Sequence, residues 1–170
     1  MYIIVAVLVV VIIIAGAAAY VLSTNNGGSS NNTSPTPTPA PASVVNASTL
    51  QFVVNETTNG ANVTYDFTAK NVNTTTLVLR VDIPGGSSGN YSYILDVSQQ
   101  KSWLSTDNGV TWTASVYNTD WETFGLKWYN YSNALVMWNG VDQTYTYDAS
   151  TLIYCIAVNP TLPASEFATS

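Results

Sequence analysis

Histidine is absent, cysteine occurs once, and 4 Lys and Arg residues stand against 10 Asp and Glu, for a net charge of −6. Each shortage excludes something. Without an imidazole, Ser-His-Asp and Cys-His nucleophilic sites cannot be built. A single thiol leaves no intramolecular disulfide. That thiol, Cys155, sits in the apolar run LIYCIAV, which predicts a buried small hydrophobe. So few cations cannot neutralise a run of phosphates, which excludes a nucleic-acid partner. They also disfavour anionic lipid headgroups. The carboxylates are scattered, so no metal, cofactor or catalytic residues are assigned. Asp120 and Glu122 are close in sequence, but residues two apart on a helix do not face each other. A carboxylate pair assembled by the fold, as in glycoside hydrolysis, is the enzymatic arrangement the composition leaves open. Only 8% of residues are charged, against about 25% in an ordinary soluble domain. Polarity comes instead from Asn, Ser, Thr and Tyr.

What is present begins with Tyr2–Leu22, YIIVAVLVVVIIIAGAAAYVL, which has no charged residue. At about 1.5 Å per residue a helix of this length spans about 30 Å, the thickness of a bilayer's hydrocarbon core. Backbone in lipid must be helical to satisfy its N–H and C=O groups. Residues 1–22 are therefore expected to be a single-pass anchor. A cleaved secretory signal, a pilin-like filament core and a start that omits a short basic leader stay open as alternatives. Residues 23–45 form a Ser/Thr/Pro/Gly linker: its Gly/Ser half is a flexible tether and its Pro/Thr half an extended spacer. Residues 46–160 are expected to fold as a β-rich domain, with 161–170 an extended tail. Asn-x-Ser/Thr sequons begin at Asn31, Asn32, Asn46, Asn55, Asn62, Asn73, Asn90 and Asn130. They mark candidate glycosylation sites on an exterior surface. Together these features place the N-terminus inside and the C-terminal domain outside. The expected partners are the bilayer, through residues 2–22, and a cell-surface layer or other surface proteins.

Within the domain the apolar period is two. Val63–Ala69, Leu77–Ile83, Tyr91–Val97, Gln99–Ser105, Val110–Val116, Thr144–Tyr147 and Thr151–Val158 read as strands with short connections, hence an antiparallel sheet. Both faces of the last strand are apolar, which predicts a central position covered on both sides. One helix interrupts them over about 120–138. Trp121, Phe124, Trp128, Tyr131, Leu135 and Trp138 recur at intervals of 3, 4, 3, 4 and 3. Thr119 with Glu122 suggests a capping box, and Asn139-Gly140 a stop. This seam serves either as core against the sheet or as the lining of an apolar-ligand cavity. The predicted class is α+β: an N-terminal transmembrane helix, then a curved antiparallel sheet packed on one aromatic-rich helix.

Ser105-Thr106-Asp107-Asn108-Gly109-Val110-Thr111-Trp112 resembles the Asp-box of sialidases, other glycosidases and unrelated β proteins. The resemblance implies a hairpin staple built by Ser105, Asp107, Gly109, Thr111 and Trp112. A sialidase would need an arginine cluster, and Arg80 is the only arginine. The strand layout with a late aromatic helix is similar to LolA/LppX-type lipoprotein carriers, which implies an anchored carrier or sensor of an apolar ligand. The order of anchor, Thr/Pro stalk and sequon-rich β domain resembles small archaeal membrane-anchored surface proteins. That resemblance implies a structural or interaction role without catalysis.

Overall fold

The computed structural model describes residues 42–85 and 89–169. The expected anchor, most of the linker and the sequons at Asn31 and Asn32 lie outside the described residues. Among the described residues no helix is long and apolar enough to cross a membrane.

Eight strands form one antiparallel sheet: β1 Thr49–Thr58, β2 Ala61–Lys70, β3 Val78–Ile83, β4 Tyr91–Asp96, β5 Lys101–Ser105, β6 Thr113–Ser115, β7 Thr144–Asp148 and β8 Thr151–Val158. Their spatial order is β6-β5-β4-β3-β2-β1-β8-β7. The first six run as a meander. The β1–β2 connection is Asn59-Gly60, where φ is 52° and 76°. Two successive positive φ values give the two-residue turn whose twist matches its strands, and Asn-Gly adopts it with little strain. β1 is absent from the strands that alternation predicts, because Val53-Val54 interrupts the polar spacing; it nevertheless lies inside the sheet, between β2 and β8.

After β6 the chain crosses one face of the sheet as a continuous helix and emerges at the opposite edge as β7. The helix is α over Tyr117–Asp120, π over Trp121–Gly125 and α again over Leu126–Ala134, and it closes with a 3-10 turn, Leu135–Met137. It starts earlier than the capping box suggests. Val116 is the N-cap and offers no side-chain bond, and Thr119 lies inside the first turn, where its carbonyl accepts from the Thr123 hydroxyl. What fixes this end is tertiary: buried Asp120 accepts from the Ser102 hydroxyl of β5 at 2.6 Å.

Leu50, Phe52, Val54, Phe67, Leu79, Val81, Leu95 and Ile153 are buried on the helix-facing side of the sheet, packed with Phe124, Trp128, Tyr131 and Leu135. Each fully buried Leu, Ile or Phe contributes about 1.5–3 kcal/mol of transfer free energy.

Two expectations for the last strand are corrected. β8 is one strand in from the edge, and Leu152 is 40% exposed. Cys155 is exposed, with φ 53°. The cause is a bulge against β1: Val53 pairs with Tyr154, but Gln51 pairs with Ala157. The extra residue reverses the alternation, so Ile153 and Ile156 are both buried and Cys155 is displaced to solvent. The tail is not simply extended either. Ala164–Phe167 forms a 3-10 turn that docks on β3.

Candidate functional site

The face of the sheet away from the helix carries the densest charge. β2 and β3 pair Asp66 opposite Asp82, and Thr68 opposite Arg80. Antiparallel partners share a face, so register brings Asp66, Asp82 and Arg80 together. The Arg80 guanidinium grips Asp82 through Nε at 2.8 Å and Nη2 at 3.2 Å. Its Nη1 donates to the Glu166 carbonyl at 3.0 Å and lies 3.6 Å from the Glu166 carboxylate. The guanidinium carbon also sits 5.9 Å from the Trp112 ring centroid. Ser92 donates to Asp82 at 2.5 Å. Burial opposes the charge on Arg80, but the hydrogen bond to Asp82 and the charges of Asp82, Glu166 and Asp66 outweigh it and raise its pKa. Burial pushes the Asp66 carboxyl above its ordinary value; repulsion from Asp82 and Glu166 adds to this, and Arg80 offsets part.

Beside this cluster lies a cleft of about 280 Å³, lined by Asp66, Arg80, Asp82, Asn90, Tyr91 and Asn108 among others. It is open, and hydrogen-bonding groups of both senses share its wall with Ile83, Pro84 and Tyr91. Arg80 is committed to Asp82 and Glu166, so the cluster chiefly ties the C-terminal turn to the sheet. Asp66 lines the cleft with a carboxyl that holds its proton more readily than an ordinary aspartate. Among the described residues no three of His, Cys, Asp and Glu gather as a metal site.

The Asp-box residues form the β5–β6 connection. The Asp107 carboxylate accepts from the Val110 and Thr111 amides at 3.1 and 2.8 Å and from the Thr111 hydroxyl at 2.6 Å. The Ser105 hydroxyl donates to Asp107 at 2.7 Å and accepts from the Gly109 amide at 2.9 Å. Gly109 has φ 80°, and a side chain there would meet the Trp112 ring. The Thr111 hydroxyl, the Thr111 amide and Ser105 together hold the Asp107 carboxyl at about 2, below its ordinary 3.8. Four hydrogen bonds from its own turn hold the Asp107 carboxylate, which is a structural arrangement.

On the other face, the aromatic seam meets the sheet's own side chains. Phe124 packs on Tyr93 with ring centroids 4.5 Å apart, and Tyr131 lies 6.3 Å from Phe67. Trp121 and Trp138 are only half-buried: Trp121 stacks on Tyr117, and the Trp138 indole donates to the Asp142 carbonyl. At the helix's middle, Glu56 of β1 accepts from Lys127 at 2.7 and 2.8 Å and from the Tyr131 hydroxyl. Burial, then the bond to Glu56, raises the Tyr131 hydroxyl's pKa. Lys127 also sits 5.1 Å over the Tyr65 ring. This lock went unread in the sequence, because its parts lie about 70 residues apart.

Six sequons fall on described residues. Asn46, Asn62 and Asn130 are exposed. Asn73 and Asn90 are exposed too, but the nitrogen a glycan would join donates to Val45 O in the first and to Asn108 in the second. Asn55 is half-buried in β1, with Oδ1 enclosed and without a partner. No family model, curated protein or solved structure matches the chain.

Proposed function

We propose that the chain is a membrane-anchored extracytoplasmic surface protein with a structural or interaction role and no catalysis. The observation that carries this reading is the distribution of charge. No Asp, Glu, Lys or Arg precedes Glu56. An apolar run of bilayer length is followed by an uncharged tether, and that tether leads into a sheet domain whose one arginine is spent on internal ion pairs. Asn62 and Asn130 are the best-placed glycan acceptors. A LolA/LppX-like carrier has less support, since Phe124, Trp128 and Tyr131 would have to leave the sheet to open a cavity.

The test is protease shaving of intact cells combined with alkaline carbonate extraction of their membranes. The domain should be cut from the outside, at the tether, while the N-terminal peptide stays with the membrane. Release of the whole chain by carbonate, or complete protection from external protease, would overturn the reading.

A further inference from the structure

The face of the sheet away from the helix holds a second cleft, and strand register builds it. Antiparallel partners share a face, so one row across the sheet runs Lys70, Val78, Asp96 and the next runs Arg80, Ile94, Trp103. The C-terminal turn Ala164–Phe167 docks here on β3. It is fastened by Arg80 to Glu166 and by Lys70, whose ammonium lies 4.6 Å over the Phe167 ring. A cleft of about 220 Å³ remains between turn and sheet, with Val78 and Ile94 buried beneath it. Lys70, Asp96, Gln99, Trp103, Phe167 and Thr169 line the rest. Hydrogen-bonding capacity is left over in it. The ion pairs among the described residues engage Arg80 and Lys127 and leave Lys70 without a carboxylate. Asp96 accepts from the Ser98 hydroxyl at 2.7 Å, the Gln99 amide at 2.9 Å and the Gln99 side chain at 2.8 Å. A carboxylate offers about four acceptor positions, so one stays open.

We propose that this cleft binds a neutral pyranose, one sugar residue of a glycan. Charge selects among ligands. A carboxylate or phosphate is drawn to Lys70 but faces Asp96, and an ammonium meets the reverse. A neutral polyol suits both, because every hydroxyl donates and accepts. Adjacent hydroxyls accept from Lys70 and donate to Asp96, while the C–H face of the sugar ring lies on Trp103 by dispersion. Volume sets the extent of the ligand. The cleft is smaller than the roughly 300 Å³ at which pockets for drug-sized ligands begin, so it admits a single ring. One ring with so few contacts binds with a Kd on the order of 1 mM. A glycan partner gives the interaction role above its chemistry, and it rests on that reading only for where the glycan is met, on the exterior.

The experiment uses the full chain in phosphatidylcholine nanodiscs, free of sugar-headed detergent. Saturation-transfer NMR is run with the methyl glycosides of glucose, galactose and mannose, each at about 10 mM. At least one should receive saturation at its ring protons. Trp103→Leu should abolish the transfer. Lys70→Met should weaken binding about tenfold, the loss of a hydrogen bond to a charged group. Thr106→Ala, exposed on the β5–β6 hairpin, should leave it unchanged. Lys70→Met keeps the aliphatic stem beside Phe167, so it decides the matter should Trp103→Leu fail to fold. No transfer to any of the three glycosides, or undiminished transfer in both cleft variants, would overturn the proposal. So would glucuronate binding about tenfold more tightly than the glucoside, which would make the cleft an anion site at Lys70. Carbonate extraction of cell membranes separates the two failures. An anchored chain that binds no sugar sinks the cleft alone, and a sugar-binding chain released by carbonate sinks the anchored reading alone.

Discussion

Two aspartates, Asp107 in the β5–β6 turn and Asp66 on β2, respond to pH in opposite directions. Asp107 has a folded pKa of about 2 against an ordinary 3.8. Between those values the unfolded chain binds more protons than the folded one, so falling pH removes stability. The contribution is fully present above about pH 4 and is lost as pH falls through about 2. Asp107→Asn should flatten the melting temperature across that window, and an unchanged acid slope would show that the turn's bonds carry no linkage. Asp66 has the reverse sign, because its folded pKa is raised by burial and by its acidic neighbours. Its contribution is best below the ordinary carboxylate pKa and worsens as pH rises through the folded value. Asp66→Asn should therefore raise the melting temperature at neutral pH, and a lower one would show that the carboxylate is held by a favourable contact.

The helix is the element whose irregularity has a local cause. A π segment at Trp121–Gly125 widens the turn, and the Trp121 ring lies over Gly125, where an added Cβ would come within 2.3 Å of a ring carbon. Gly125→Ala should cost about 1–3 kcal/mol by overpacking, measured by urea unfolding. Trp121→Ala should remove most of that cost in the double mutant, since the two residues touch. Additive losses would mean that Gly125 is needed for its backbone instead. Further along, Trp128 is 5% exposed and its indole nitrogen has no partner. Trp128→Ala should destabilise by about 3–5 kcal/mol. Trp128→Phe should cost under about 1.5 kcal/mol, because it also removes an unpaired buried donor. Equal losses in the two variants would show that a phenyl ring recovers none of the packing and would tie the effect to the indole itself.

For the whole molecule, the helix crossing joins the two edges of the sheet, and two polar contacts fix its angle. Asp120 meets Ser102 near one end of the sheet's order, and Lys127 with Tyr131 meets Glu56 on β1. Glu56 is 13% exposed and Lys127 33%. Lys127→Ala leaves the carboxylate half-enclosed with only Tyr131, and should cost about 1–3 kcal/mol. Replacing both partners with Glu56→Leu and Lys127→Met should recover much of it. A double mutant as weak as the sum of the singles would argue that the pair also sets the helix's position.

Strand type and the helix seam were legible in the chain because a folded sheet or helix exposes one side at a fixed period. Val63–Ala69, Leu77–Ile83 and the Trp121–Trp138 spacing carry that signal without help from distant residues. The sequence determined the α+β class, the shortage of cations and the turn chemistry at Asp107. Tertiary structure decided the rest. It moved β1 inside the sheet despite Val53-Val54, and it set the register that places Asp66 against Asp82. A single bulged residue turned Cys155 from an expected core residue into an exposed thiol. It also closed the Glu56, Lys127 and Tyr131 lock and packed the Val44–Asn46 turn on Leu135–Met137. Periodicity reports which side of its own element a residue occupies. Register, bulges and crossing angles depend on the partner element, and no local pattern encodes that partner.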